Sequence, residues 1–75
     1  MDNLNVKQLE SIIFAAINSS YQEIPPTEEE FLEMATLLRN TNASIMPVSD
    51  DEFEKIIVRL KQSLVIQMDV GVYIN

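Results

Sequence analysis

Apolar side chains recur every three or four residues along three segments of the chain, a spacing that predicts helices packed by one face. The first stripe consists of Leu9, Ile12, Ile13, Ala16 and Ile17. The second and third begin at Phe31 and Phe53, and each continues at i+3, i+4 and i+7. We therefore predict helices over about 6–20, 27–39 and 50–63.

Two of these helices are preceded by the same short pattern, a hydroxyl residue followed by three acids and a phenylalanine. TEEEF occupies residues 27–31 and SDDEF occupies residues 49–53. Each contains a capping box, in which the hydroxyl residue and the acid three positions later bond to each other's backbone amides. Acids in a first turn are also stabilised by the helix macrodipole. The repeated acidic block therefore predicts two helix starts, and Asn5 with Gln8 predicts a similar cap for the first helix.

The segments between the helices have distinct characters. Proline disfavours helical geometry in the residue before it, so the IPP sequence at residues 24–26 ends the first helical region. The link SIMPV, at residues 44–48, is too apolar for a solvated loop. We expect Ile45, Met46 and Val48 to fold back onto the core.

After the third helix the sequence becomes rich in β-branched residues. Residues 64–68 and 72–74 are predicted to be strands, with Gly71 at the positive-φ position of the turn between them. ASIM, at residues 43–46, is a candidate third strand, and otherwise the hairpin keeps an open edge. The predicted fold is a single mainly helical α+β domain over 1–75, with three helices and a C-terminal hairpin.

Helices followed by a hairpin resemble the winged-helix family, with MDVGV at residues 68–72 as the wing tip. The resemblance implies a small regulatory or interaction domain. Two features depart from that family: a long proline-containing link precedes the third helix, and this helix opens with SDDEFEK. Those acids would lie against phosphate, so a winged-helix-like regulator is the third of our function hypotheses.

Charge and composition exclude several classes of function. Twelve acids against five bases give a net charge of −7, the opposite of a nucleic-acid-binding or anionic-membrane-binding surface. The absence of cysteine and histidine excludes disulfides, thiolate or imidazole metal sites and most nucleophile–base pairs. The longest apolar run, residues 12–17, is far too short to span a membrane. We predict a cytoplasmic protein that is not an enzyme and binds no cofactor and no metal.

Apolar residues outside the helix stripes point to protein contact. We predict a partner interface made by Phe14, Leu37, Val58 and Tyr73. The first function hypothesis is a non-catalytic interaction or assembly module, acting by self-association or by docking a partner protein. Such a module could also be the N-terminal accessory domain of a larger protein.

The acids support a second hypothesis. If both acidic helix starts point the same way, they form one negatively charged surface. Its members would be Glu28, Glu29, Glu33, Asp50, Asp51 and Glu54. A surface of this kind could act as a decoy, blocking a basic nucleic-acid-binding surface in the manner of a DNA mimic.

Overall fold

The fold consists of three α-helices in the part of the chain that is described. A computed structural model describes residues 2–67, with side chains from residue 4 onward. The helices are α1 (Asp2–Ser20), α2 (Glu28–Thr41) and α3 (Asp50–Ser63). The three predicted helices are confirmed, although α1 begins earlier than expected and α2 ends slightly later.

Both predicted capping boxes are present at the starts of α2 and α3. The Thr27 hydroxyl accepts the Glu30 amide at 3.1 Å, and the Glu30 carboxylate accepts the Thr27 amide at 2.9 Å. Ser49 and Glu52 repeat this arrangement at 3.2 and 3.0 Å. A cap of this type stabilises a helix by about 1 kcal/mol, so the two acidic blocks fix where these helices begin.

The start of α1 differs from expectation, and the end of α2 is satisfied by a side chain. Asn5 does not cap α1; it lies within that helix, and its side chain donates to the Pro47 carbonyl at 3.4 Å. Asn42, after α2, does not use left-handed geometry, since its φ is −101°. Its side chain donates to the Leu38 carbonyl at 2.7 Å and satisfies one of the free acceptors at the helix end.

The core lies where α1 packs against both other helices. Leu9, Ile13 and Ile17 supply the buried stripe of α1. The remaining buried apolar residues are Pro26, Phe31, Ala35, Met46, Val48, Ile56, Ile57 and Leu60. Met46 and Val48 therefore fold inward as predicted, whereas Ile45 points to solvent. Burying each large apolar side chain contributes about 1.5–3 kcal/mol.

Polar contacts show the relative directions of the helices. Arg39, near the end of α2, pairs with Asp50 at the start of α3 at 2.7 Å. Lys61, near the end of α3, pairs with Glu28 at the start of α2. Helices α2 and α3 are therefore antiparallel. The start of α1 contacts Pro47, just before α3, and its middle pairs with Arg59, so α1 and α3 run parallel.

The predicted C-terminal hairpin is wrong, and so is the α+β fold class: residues 2–67 contain no β-strand. The amide of Leu64 continues the helical pattern by donating to the Leu60 carbonyl at 2.8 Å. The predicted turn and second strand, residues 69–74, lie outside the described residues. The ASIM segment forms turns and no third strand.

The segment after α3 pairs with the proline loop instead. Gln67 forms an isolated parallel bridge with Thr27, and its amide donates to the Pro26 carbonyl at 2.8 Å. Its side-chain amide donates to the Pro25 carbonyl. Prolines lack an N–H but keep a free carbonyl, so the loop offers two acceptors to a neighbouring extended chain. The strand predicted at residues 64–68 is therefore wrong within 64–67, where Gln67 forms only this isolated bridge.

Candidate protein-interaction surfaces

The two acidic helix starts lie at opposite ends of the α2–α3 pair. This follows from the antiparallel arrangement, which sets Glu28 beside the end of α3 and Asp50 beside the end of α2. Helices of 14 residues span about 20 Å, so the two blocks are separated by roughly that distance. One continuous acidic surface would require both helix starts to lie on the same side, and they do not.

Part of the acidic charge has a structural role. Arg39 donates to the Val48 carbonyl at 2.8 Å and to the Asp50 carboxylate at 2.7 Å. Its guanidinium group also lies 4.9 Å from the centre of the Phe53 ring, within the range of a cation–π contact. Asp50 is thus one element of the connection between α2 and α3, in the same way that Glu28 is bound by Lys61.

The outer face of α2 brings predicted acidic and apolar residues together. It forms an open hollow of about 740 Å³ that contains Glu29, Glu33 and Leu37. Leu37 is 62% exposed, and Glu28 and Leu32 lie at the rim. All of the lining residues belong to this one helix, so an occupant would be covered on one side only.

The outer face of α3 has a similar composition. Asp51, Glu54 and Val58 line a hollow of about 390 Å³, together with two basic residues, Lys55 and Arg59. Its acids are therefore interspersed with bases, and again a single helix supplies every lining residue. The structure thus distributes the predicted acidic and apolar residues over two separate helix faces.

The third surface, which we call the α1–α3 groove, is formed by two helices and consists of two adjoining hollows. The first hollow, about 430 Å³, is lined by Lys7, Glu10, Ser11, Phe14, Leu60 and Ser63. The second, about 290 Å³, is lined by eight residues between Phe14 and Pro26, at the end of α1 and in the proline loop, and by residues 63–65. Phe14 lines both hollows and is 40% exposed, so its ring is the central accessible feature of the groove.

An ion pair borders the first hollow. Arg59 contacts Glu10 at 2.7 Å through one terminal nitrogen and at 3.0 Å through Nε. The side-chain hydrogen bond to Glu10 raises the pKa of Arg59, the attraction of the same carboxylate adds to this, and partial desolvation opposes it. Because the two residues lie on different helices, this contact helps to set the spacing between α1 and α3, and with it the width of the groove.

Of the four apolar residues predicted as an interface, the three that the structure describes line different hollows. Phe14 lies in the groove, Leu37 on α2 and Val58 on α3, while Tyr73 is outside the described residues. Sequence reasoning missed Val65, which is 75% exposed and lines the second hollow. The sequence offered a signal for Val65, an apolar residue directly after a helix, but it was interpreted as part of a strand.

Two further properties concern metals and membranes. Among residues 2–67, no group of three or more acidic side chains is arranged to hold a metal ion. In the same part of the chain, no helix combines the length and apolar character needed to cross a membrane.

Comparison with known proteins gives no family assignment. No protein-family model matches the chain, and no curated protein or solved structure matches it either. Its surfaces must therefore be interpreted from their own chemistry.

Proposed function

We propose that this chain is a non-catalytic protein-interaction module that docks a partner protein in the α1–α3 groove. The observation that carries the proposal is the position of Phe14, an aromatic ring 40% exposed between two hollows. Walls from two helices can surround an incoming side chain, and buried aromatic anchors supply much of the energy of protein interfaces. The outer faces of α2 and α3 each offer one helix only.

A partner of different composition is favoured over a second copy of the same chain. With a net charge of −7, two copies repel each other as they approach. A neutral or basic partner meets no such opposition, and a basic one is attracted. In the first hollow, Glu10 is already paired with Arg59, so apolar contact there does not require burying an unpaired acid.

The composition supports binding over catalysis as the role of this module. The chain has no histidine or cysteine, so the common nucleophile–base pairs cannot be built from it. We place the module in the cytoplasm, because a chain without cysteine shows no adaptation to an oxidising compartment.

Site-specific photo-cross-linking tests the proposal. Ser63 lines both hollows and is exposed, so a photoreactive residue at that position would capture a protein seated in the groove. The experiment is performed in the cells that produce the protein. We expect a discrete adduct that is lost when Phe14→Ser is added to the same chain.

Two matched variants serve as controls. Leu37→Ser and Val58→Ser also remove an exposed apolar side chain, but from the outer faces of α2 and α3, and both should keep the adduct. Circular dichroism establishes that Phe14→Ser remains helical. An adduct that persists in Phe14→Ser, or that Leu37→Ser removes equally well, would contradict the proposal.

A further inference from the structure

We propose that the occupant of the α1–α3 groove is an amphipathic helix of the partner, running antiparallel to α1 and α3. It would complete a four-helix arrangement in which neighbouring helices alternate in direction. This inference rests on the proposed function and adds to it the conformation, the direction and the anchor spacing of the bound segment.

The shape of the groove matches a helix. Along α1, the first hollow extends from Lys7 to Phe14 and the second from Phe14 to Tyr21. Ser11 and Asn18, which line the first and second hollows respectively, are seven residues apart on α1, which corresponds to roughly 10 Å along a helix. A helix lying in the groove presents side chains at i and i+7 with the same separation. Two apolar anchors at that spacing would enter the two hollows on either side of the Phe14 ring.

The helix termini give the groove an electrical direction. Because α1 and α3 run parallel, their C-terminal ends, which carry partial negative charge, lie together near the second hollow. The last turn of α1 contains no basic residue to offset this charge. The last turn of α3 contains Lys61, whose own charge is paired with Glu28. The N-terminal end of α1, which carries partial positive charge, lies beyond Lys7 at the other end of the groove, whereas α3 contributes only its last turn and the residues after it. A docked helix is stabilised when its positive N-terminus lies beside the second hollow, which is the antiparallel direction.

The charged side chains at the two ends of the groove have the same sign as the helix termini beside them. Glu23 lines the second hollow and Lys7 lines the first, and neither forms an ion pair within residues 4–67. Glu23 therefore lies where the N-terminus of the bound helix is expected. Lys7 lies where its C-terminus is expected. Glu10, the other charged group of the groove, is held by Arg59 and does not alter this polarity.

The orientation can be measured because the chain has no cysteine, so a single introduced thiol is a unique labelling site. Ser11 and Asn18 are both exposed and line the first and second hollows respectively. The probe is a designed amphipathic helical peptide, uncharged, with leucines at i, i+3, i+4 and i+7 and a fluorophore at its N-terminus. A quencher is attached to Ser11→Cys or to Asn18→Cys.

The expected result is stronger quenching from Asn18→Cys than from Ser11→Cys, with both signals lost in Phe14→Ser. Equal quenching, or stronger quenching from Ser11→Cys, would overturn the antiparallel arrangement. Lys7→Glu and Glu23→Lys should each weaken peptide binding about two- to fivefold at low salt, since each reverses one favourable terminal charge.

The outcomes separate this inference from the proposed function. If the peptide fails to bind in a Phe14-dependent way while the cellular adduct at Ser63 remains Phe14-dependent, the groove docks a partner but not as a helix, and the inference is wrong. If neither peptide binding nor the cellular adduct depends on Phe14, the groove is not a docking site. In that case both this inference and the proposed function are wrong.

Discussion

At the scale of single residues, three basic side chains form ion pairs between helices. Arg39 and Lys61 join opposite ends of α2 and α3, while Arg59 joins α3 to α1. Exposed ion pairs alone stabilise a protein by only about 0–1 kcal/mol. Arg39 differs from the other two, because the same side chain also bonds a backbone carbonyl and lies over the Phe53 ring.

Replacing Arg39 with methionine should therefore cost more than removing its acidic partner. Arg39→Met keeps most of the aliphatic stem but leaves the part-buried Val48 carbonyl without its donor, a loss of about 1–2 kcal/mol. Asp50→Asn removes only a highly exposed charge and should cost less than about 1 kcal/mol. Urea unfolding of both variants checks the difference, and equal costs would show that the carbonyl and ring contacts add nothing.

The Arg59–Glu10 pair should contribute a small, salt-sensitive coupling. A double-mutant cycle with Arg59→Gln and Glu10→Gln is expected to give about 0.2–1 kcal/mol, decreasing as salt is added. The folded pKa of Arg59 is raised above its unfolded value, so its contribution is fully present below the unfolded pKa and is lost only in strong alkali. The coupling should thus be equal at about pH 7 and about pH 10; a decrease over that interval would contradict this interpretation.

At the scale of the helices, the sequence correctly predicted features that depend on residues close together in the chain. Capping boxes join residues three apart, so TEEEF and SDDEF located the starts of α2 and α3 correctly. The hairpin prediction failed because the partner of Gln67 is the proline loop, about 40 residues earlier. The carbonyls of Pro25 and Pro26 give no sequence signal that another segment will pair with them.

The candidate site was predictable to a similar extent. Phe14 could be singled out because it lies beside the core stripe of α1. The rest of the groove, including Ser63 and Val65, could not be found in this way. Those residues meet Phe14 only because α1 and α3 pack in parallel, which is a property of the tertiary structure.

Ser49 caps α3, whereas Asn5 lies inside α1. Ser49→Ala removes a true helix cap and should cost about 1 kcal/mol. Asn5→Ala replaces a residue inside a helix, where alanine is the best helix former, and loses only a long hydrogen bond. We expect Asn5→Ala to change the free energy of unfolding by less than about 0.5 kcal/mol, measured by thermal or urea unfolding. A cost equal to that of Ser49→Ala would restore Asn5 as the cap.

At the scale of the whole molecule, charge and shape separate the function hypotheses. The acids fall on opposite ends and on two different helix faces, and several are bound internally. The apolar groove lies on a third side, formed by α1 and α3. The proposed docking in the groove therefore does not require the acidic helix starts.

The isolated protein should be a monomer. Mutual repulsion between chains of charge −7 opposes self-association at low salt. Size-exclusion chromatography with light scattering, performed over the micromolar concentration range, should give the mass of one chain throughout. A dimer that grows with concentration and disappears in Phe14→Ser would instead assign the groove to self-association.

Docking in the α1–α3 groove is tested most directly by calorimetry. The quantity measured is the affinity of the cross-linked partner for the unmodified chain and for its variants. If Phe14 anchors the interface, Phe14→Ser should weaken binding at least about tenfold, the effect of losing a side chain that contributes about 1.4 kcal/mol or more. Leu37→Ser should bind as tightly as the unmodified chain. An unchanged affinity for Phe14→Ser, or a comparable loss in Leu37→Ser, would contradict docking in the α1–α3 groove.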